Sequence, residues 1–443
     1  DVIGETNDPT PTITGTTDAA DGSTVTVVID DGVNPVETLT TTVTGGVWFV
    51  TANNALPEGS FTVTATVTVN TIDGTATRTG TVDLTAPSIT INDINDTNDT
   101  TPTISGTTDS SAGSLVTLTI TDSLGNTQTV VATVLANGSW SVAASTILAE
   151  GTFTVTASDT DAAGNTGTDN ATGNVDITAP VVSIDAIADS NDVTPVISGQ
   201  STGVPAGTLV TLTITDSAGN VQTVTTTVQA DGSWSAEAAT ALAEGDYTVV
   251  ATIVDAAGNT GTDTETGTID VTAPTITIDA PALTNDNTPT VTGSSDLANT
   301  NLDVTFTDAN GTSHTVTVTT DASGNWSVDA AQALADGNYS VTASISDSAG
   351  NNSSATDSGV VDTIPPELAF VPTFLLGQLV TLSGTSDLPA GSTVTITQNL
   401  VGGGVVTYTA TTDANGDWSL TGLTVPLLSL ASITASASDE AGN

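Results

Sequence analysis

Five tryptophans divide the 443-residue chain almost evenly: Trp48, Trp140, Trp234, Trp326 and Trp418 lie 92, 94, 92 and 92 positions apart. A second marker keeps step with them. It reads Val82-Asp83-Leu84-Thr85-Ala86-Pro87, Val175-Asp176-Ile177-Thr178-Ala179-Pro180 and Ile269-Asp270-Val271-Thr272-Ala273-Pro274, with a worn copy at Val361-Asp362-Thr363-Ile364-Pro365. So many landmarks in register over five periods mean a real internal repeat. The period is too long for a solenoid unit of roughly 20–50 residues and suits an independent β-sandwich of roughly 100.

The second period shows why strands are expected. In Leu115–Thr121 the residues Val116, Leu118 and Ile120 alternate with threonines, and Thr152–Ala157 alternates in the same way. Period-two patterning in β-branched residues places one strand face in a core and the other in water. Turn signals separate these runs at Ser123-Leu124-Gly125-Asn126, Asn137-Gly138, Ala149-Glu150-Gly151 and Gly164-Asn165. Seven strands are expected in this unit, near 87–92, 101–108, 115–122, 127–136, 139–144, 152–159 and 166–177. The repeated tryptophan opens the fifth and reads as a core anchor that supplies the large buried area a small sandwich needs. The expected architecture is all-β: five Ig-like units end to end as a rod, at 1–84, 85–177, 178–271, 272–362 and 363–443. At about 3.3 Å per strand residue, each unit would be roughly 40 Å long. Unit one starts after its first strand should have begun, and unit five stops before a seventh, as expected of a slice of a longer protein.

Fifty acidic residues face a single basic one, Arg78, for a formal net charge of −49. Nucleic acid and anionic membranes are poor partners for such a chain, because neutralising phosphates requires Lys and Arg. Its abundance of Val, Ile and Thr argues against disorder. Counter-cations remain as the explanation for uncompensated carboxylates, with calcium, which takes oxygen ligands, foremost. Cysteine is absent, which excludes disulfides, thiolate metal sites and a cysteine nucleophile. No stretch is apolar enough to span a membrane; Phe370–Leu382 is too short and is interrupted by Pro372.

The set Asp-x-Thr-Ala-Pro, Asn-Asp-x-Thr-Pro, Gly-Ser-Trp-Ser, Leu-Ala-Glu-Gly and Asp-Ala-Ala-Gly-Asn resembles the bacterial immunoglobulin-like repeats of giant, type I-secreted biofilm adhesins. The resemblance covers essentially the whole chain. It implies an extracellular, cell-surface extender that holds an adhesive tip away from the cell and is stiffened by calcium between domains. A glycan or cell-surface ligand would then be met by a tip outside this segment. Unit five departs from the pattern, with Leu375-Leu376-Gly377-Gln378 in place of Asn-Asp-x-Thr-Pro.

If seven strands alternate up and down, each linker aspartate approaches the Asp-Ala-Ala-Gly-Asn hairpin of the following unit. Asp83 would meet Asp161, Asp176 would meet Asp255, Asp270 would meet Asp347, and Asp362 would meet Asp439. Paired carboxylates with almost no Lys or Arg nearby suggest a calcium ion between them. A second candidate is the first-to-second-strand loop, Asp93–Asp99, with Glu150 nearby: Asp96, Asp99 and Glu150, and at equivalent places Asp192, Glu244, Asp286 and Asp336. The competing reading is that Asp, Asn and Gly are good turn residues.

Asp159–Gly164 has the early spacing of an EF-hand loop but lacks its later ligands. Gly199-Gln200-Ser201-Thr202-Gly203 matches a nucleophile-elbow string without the required strand-to-helix turn or histidine base. The lone His314 is expected on the surface of a unit-four strand. An enzyme is therefore not expected, and paired carboxylates for sugar hydrolysis would not normally be copied once per repeat. The alternative to an extender is an adhesive module whose exposed face, rich in threonine, binds glycan, cells or ice.

Overall fold

The computed structural model describes residues 1, 3–375, 378–426 and 430–443, and every regular element in them is a β-strand. Unit two is representative. Its strands are Ile89–Ile91, Thr103–Thr108, Leu115–Thr121, Thr127–Thr133, Ser139–Ala143, Gly151–Thr160 and Thr166–Val175, each at one of the seven expected places. The first, second and fifth form one antiparallel sheet, ordered 1-2-5, and the others form a second, ordered 4-3-6-7. Unit three repeats this arrangement, and unit four adds to it the short strand Leu283–Thr284, which pairs parallel with the last strand.

Alternation decides which side chains meet between the sheets. Val116, Leu118 and Ile120 are wholly buried beside Ile104, Phe153 and Val155, whereas Thr119 and Thr156 of the same sheet are exposed. All five tryptophans are buried, from 1 % exposed at Trp140 to 8 % at Trp48. Truncating such a ring to alanine typically costs about 3–5 kcal/mol. Each lies across the sheet from a glycine: Gly15, Gly106, Gly199, Gly293 and Gly384 pair with Trp48, Trp140, Trp234, Trp326 and Trp418. A Cβ on Gly106 would fall 1.9 Å from the Thr90 carbonyl oxygen and 2.3 Å from Trp140 Cζ2. The glycine thus lets the indole lie flat against the sheet and the neighbouring strand come close.

Among the described residues unit one has no counterpart of the first strand of unit two, leaving Thr12–Thr16 and Val47–Thr51 as a two-stranded sheet, and its short strand Glu5–Thr6 pairs parallel with the last strand. Among the described residues, unit five has six strands in two three-stranded sheets, without a counterpart of the seventh. Leu376 and Gly377, where its altered loop was located in the sequence, lie outside the described residues. Phe370–Leu382 falls on the antiparallel pair Leu368–Leu375 and Gln378–Ser386. Among the described residues no helix is long and apolar enough to cross a membrane.

One expectation needs correction. His314 is not on the surface: it is half-buried, with its ring stacked on Phe306 at 5.3 Å between centroids. At the equivalent positions of units two and three, opposite Ile120 and Ile214, stand Gln128 and Gln222. The last hairpin of unit one turns on Asn70-Thr71, and Ile72, Asp73 and Gly74 already belong to the strand that follows.

Candidate functional site

The junction is built from three pieces: a hairpin of one unit, the linker that enters it, and the first loop of the preceding unit. In unit two the hairpin is Asp161-Ala162-Ala163-Gly164-Asn165. Gly164 sits at φ 98°, a conformation that costs an L side chain strain. Asp161 Oδ1 accepts the N–H groups of Gly164 at 2.8 Å and Asn165 at 2.9 Å, while Asn165 Nδ2 donates to Asp161 Oδ2 at 2.9 Å. The aspartate therefore shapes its own turn. These donors, the Asn165 amide foremost, hold the Asp161 carboxyl below its ordinary range, as the amides of Asn351 and Asn443 do for Asp347 and Asp439. At Asp255 burial is the largest single influence and acts upward, but the hydrogen bonds together outweigh it.

The same asparagine amide reaches the preceding unit. Asn165 Nδ2 donates to the Asp83 carbonyl oxygen at 2.8 Å, Asn259 Nδ2 to that of Asp176 at 2.7 Å, Asn351 Nδ2 to that of Asp270 at 2.8 Å, and Asn443 Nδ2 to that of Asp362 at 2.7 Å. Main-chain bonds accompany three of these contacts. The N–H groups of Asn7, Asn98 and Asn191 donate to the carbonyls of Ala163, Ala257 and Ala349, each at 3.1 Å.

The linker aspartate is anchored from both sides. Its N–H bonds to the first loop of its own unit, as in Asp176 to the Thr97 carbonyl at 3.0 Å. Its side chain accepts the N–H two residues on: Thr85 to Asp83, Thr178 to Asp176, Thr272 to Asp270 and Ile364 to Asp362. The threonine of Asp-x-Thr also holds the carboxylate of the turn before the sixth strand. Thr178 Oγ1 donates to Glu150 Oε1 at 2.5 Å, Thr272 Oγ1 to Glu244 at 2.5 Å and Thr85 Oγ1 to Glu58 at 2.9 Å; at the fourth linker the threonine follows the aspartate directly, and Thr363 Oγ1 donates to Asp336 at 2.9 Å.

Each expected carboxylate can now be placed. Asp83, Asp176, Asp270 and Asp362 are half-buried in the linkers, and the main-chain carbonyl of each shares an asparagine amide with the carboxylate of Asp161, Asp255, Asp347 and Asp439 respectively. Glu150, Glu244 and Asp336 stand with the linker through its threonine. Asp99, Asp192 and Asp286 instead cap their own loop, each Oδ1 accepting the N–H and hydroxyl of Thr101, Thr194 or Thr288; Asp96 is exposed. Among the described residues no three of Asp, Glu, His or Cys gather into one metal-binding group. The residues overlooked in the sequence are Asn165, Asn259, Asn351 and Asn443. Their recurrence at the fifth hairpin position was the available signal.

Seven-stranded, two-sheet sandwiches that follow one another through short linkers define a tandem immunoglobulin-like array. The family model of the bacterial Ig-like domain matches residues 4–83, 75–177, 183–272 and 269–363, and the chain belongs to that family. Among solved structures it is similar to a tetra-tandem repeat in the extending region of a large adhesion protein, with 35 % identity over 81 % of this chain and 97 % of that one, at a TM-score of 0.33. A Ca2+-stabilised adhesin that helps an Antarctic bacterium reach out and bind ice is 30 % identical over 82 % and 96 % of the two chains, again with a TM-score of 0.33. A 1.5-MDa bacterial ice-binding adhesin is 25 % identical over 62 % and 96 %, also with a TM-score of 0.33. No curated protein matches the chain.

Proposed function

We propose that this segment is a structural extender of a secreted bacterial cell-surface adhesin, stiffened by calcium at the joints between its units. The observation that carries the reading is the repetition of one joint four times, with the same groups bonded at nearly the same distances. A chain in which each unit grips the linker before it suits mechanical work. Its partners are the neighbouring units of the same chain, and a ligand would be met by a tip beyond the segment. The two adhesion-related chains to which it is at least 30 % identical are named for an extending region and for stabilisation by Ca2+, in keeping with this reading.

The donor chemistry of the joint fits a hard cation. Linker carboxylate, turn carboxylate and main-chain carbonyls are all oxygen ligands, and carbonyls with water can complete a shell that carboxylates alone do not fill. Asp176 with Glu150 would hold the ion at the second joint, and Asp83 with Glu58, Asp270 with Glu244, and Asp362 with Asp336 at the others. The bound ion would supply positive charge where the chain has almost none. Both oxygens of Asp255 already accept hydrogen bonds from its own hairpin, so the hairpin aspartates orient the turn and the linker pair is the stronger ligand candidate.

Catalytic work does not suit this arrangement. Ser201 of the elbow-like string lies in the strand Val196–Thr202, 5 % exposed, with its Oγ 3.5 Å from the Gly232 carbonyl. Small-angle scattering and thermal unfolding with calcium and with chelator test the extender reading. Calcium at a hundredfold excess over its dissociation constant should stabilise by about 2.7 kcal/mol, and chelation should lower the melting temperature and broaden the range of particle lengths. Identical curves in both conditions would leave turn chemistry as the role of these aspartates.

A further inference from the structure

We propose that the asparagine closing each junction hairpin is a clamp that fixes how a unit sits on the linker before it, and that it works without a cation. The inference rests on the extender reading for its purpose but not for its mechanism. A primary amide has two N–H donors. At Asn259 one goes to Asp255 Oδ2 at 2.9 Å and the other to the Asp176 carbonyl at 2.7 Å, so its donor capacity is divided between its own hairpin and the neighbouring unit. The aspartate decides the orientation of the amide, because a carboxylate accepts only from the nitrogen side. With the N–H side held there, the second N–H points at the linker. Asp255 thereby acts as a positioning residue for Asn259.

The chain contains its own control for turn chemistry. Unit three has a second hairpin of the same form, Asp216-Ser217-Ala218-Gly219-Asn220, between its third and fourth strands. Asn220 Nδ2 donates to Asp216 Oδ2 at 3.0 Å, as Asn259 does to Asp255, but it makes no inter-unit bond among the described residues. Asn126 repeats this in unit two. At the same place in unit four the fifth residue is Thr312, whose N–H still closes the turn on Asp308. The local turn therefore does not require the asparagine amide, whereas all four junction hairpins have it.

The absence of cysteine makes the test direct. Spin labels at Thr133→Cys in unit two and Thr227→Cys in unit three, both exposed strand positions, report the inter-unit distance distribution by pulsed electron resonance in the full chain. In chelator the parent's distribution should be narrower than that of Asn259→Ala, which should leave the unfolding of unit three unchanged, and Asn220→Ala should match the parent. An Asn259→Ala distribution no broader than the parent's in chelator would overturn the clamp. The calcium reading is judged separately, by whether calcium changes the parent's distribution at all, so either idea can fail alone.

Discussion

Units one and three share a core plan but differ at one pole. In unit one the sixth and seventh strands, Gly59–Val69 and Ile72–Val82, pair to the last residue, Val69 opposite Ile72, and only Asn70 and Thr71 make the turn. In unit three the corresponding strands stop pairing at Val254 and Thr260, and five residues, Asp255 to Asn259, stand beyond them. The short turn places Asn70 at φ 50° and Thr71 at φ 68°, a region that disfavours a β-branched residue. Phe61 and Tyr247, at the far end of the sixth strand from these hairpins, are equally buried at 1 % exposed, whereas beside the turns Val67 is half-buried and Ile253 fully buried. A sandwich of this kind therefore needs only two residues to reverse the chain. The longer turn has a use outside its own unit, and its asparagine bonds to the preceding linker.

The largest effect should come from exchanging the turns. Replacing Asp255–Asn259 by Asn-Thr should leave unit three folded, because its strands already pair up to the turn, while the joint between units two and three opens. Limited proteolysis should then cut at residues 176–180 with the other linkers intact, and scattering should show a bend at one place. If the grafted chain keeps a protected linker, the difference between the two poles has nothing to do with the joint.

Much of this was legible in the sequence because the signals are local and repeated. Period-two alternation gave the strands, the tryptophan spacing gave the units, and strand direction brought the linker of one unit to the hairpin of the next. What stayed hidden depends on contacts across strands. Gly106 reads as a small residue in an alternating run until the structure places Thr90 and the Trp140 ring against it. Glu150 seemed to belong with the first loop because both lie at one pole, and only the Thr178 hydroxyl assigns it to the linker. Asn165 looked like turn punctuation, since one of its two donors does serve the turn.

A smaller effect should separate core from pole in the opposite sense, using units two and three, which have matching hairpins. The third-strand residues Val116, Val210 and Leu302 lie opposite Asp159, Ile253 and Ile345. Asp159 is thus a fully buried carboxylate where its counterparts in units three and four are isoleucine. Thr108 Oγ1 donates to its Oδ2 at 2.6 Å, and its Oδ1 is buried without a partner. An unsatisfied buried group costs about 1–3 kcal/mol, and replacing both members of a buried polar pair by apolar groups of similar shape can stabilise. Asp159→Ile with Thr108→Val should accordingly raise the melting temperature of unit two in calorimetry and leave the first and second joints unchanged. A destabilised unit two would mean that this carboxylate has a partner or role that hydrogen bonding within the unit does not provide.

The smallest effect is a difference in acid sensitivity between hairpins with an aspartate cap and one without. Asp122 and Asp216 are held below the ordinary value of 3.8, first by the side-chain amides of Asn126 and Asn220; burial pulls the other way, and main-chain N–H donors add to the lowering. The sign follows from linkage. A carboxyl whose folded value is depressed contributes stability in full above its unfolded value, and that contribution disappears as pH falls through the folded one. The N–H groups of Asn126 and Asn220 should therefore be protected from hydrogen exchange near neutral pH and lose that protection, relative to the strands beside them, below about pH 4. The Asn70-Thr71 turn of unit one has no such cap, and the pairing of Val69 with Ile72 beside it should change little over the same range. Exchange followed residue by residue by nuclear magnetic resonance separates the two cases. If all hairpins open together, acid acts through the net charge of the whole chain. If only the capped ones open, the aspartate-to-amide bond is what sets their conformation, and the same bond in Asp161, Asp255, Asp347 and Asp439 is what points each junction asparagine at its neighbour.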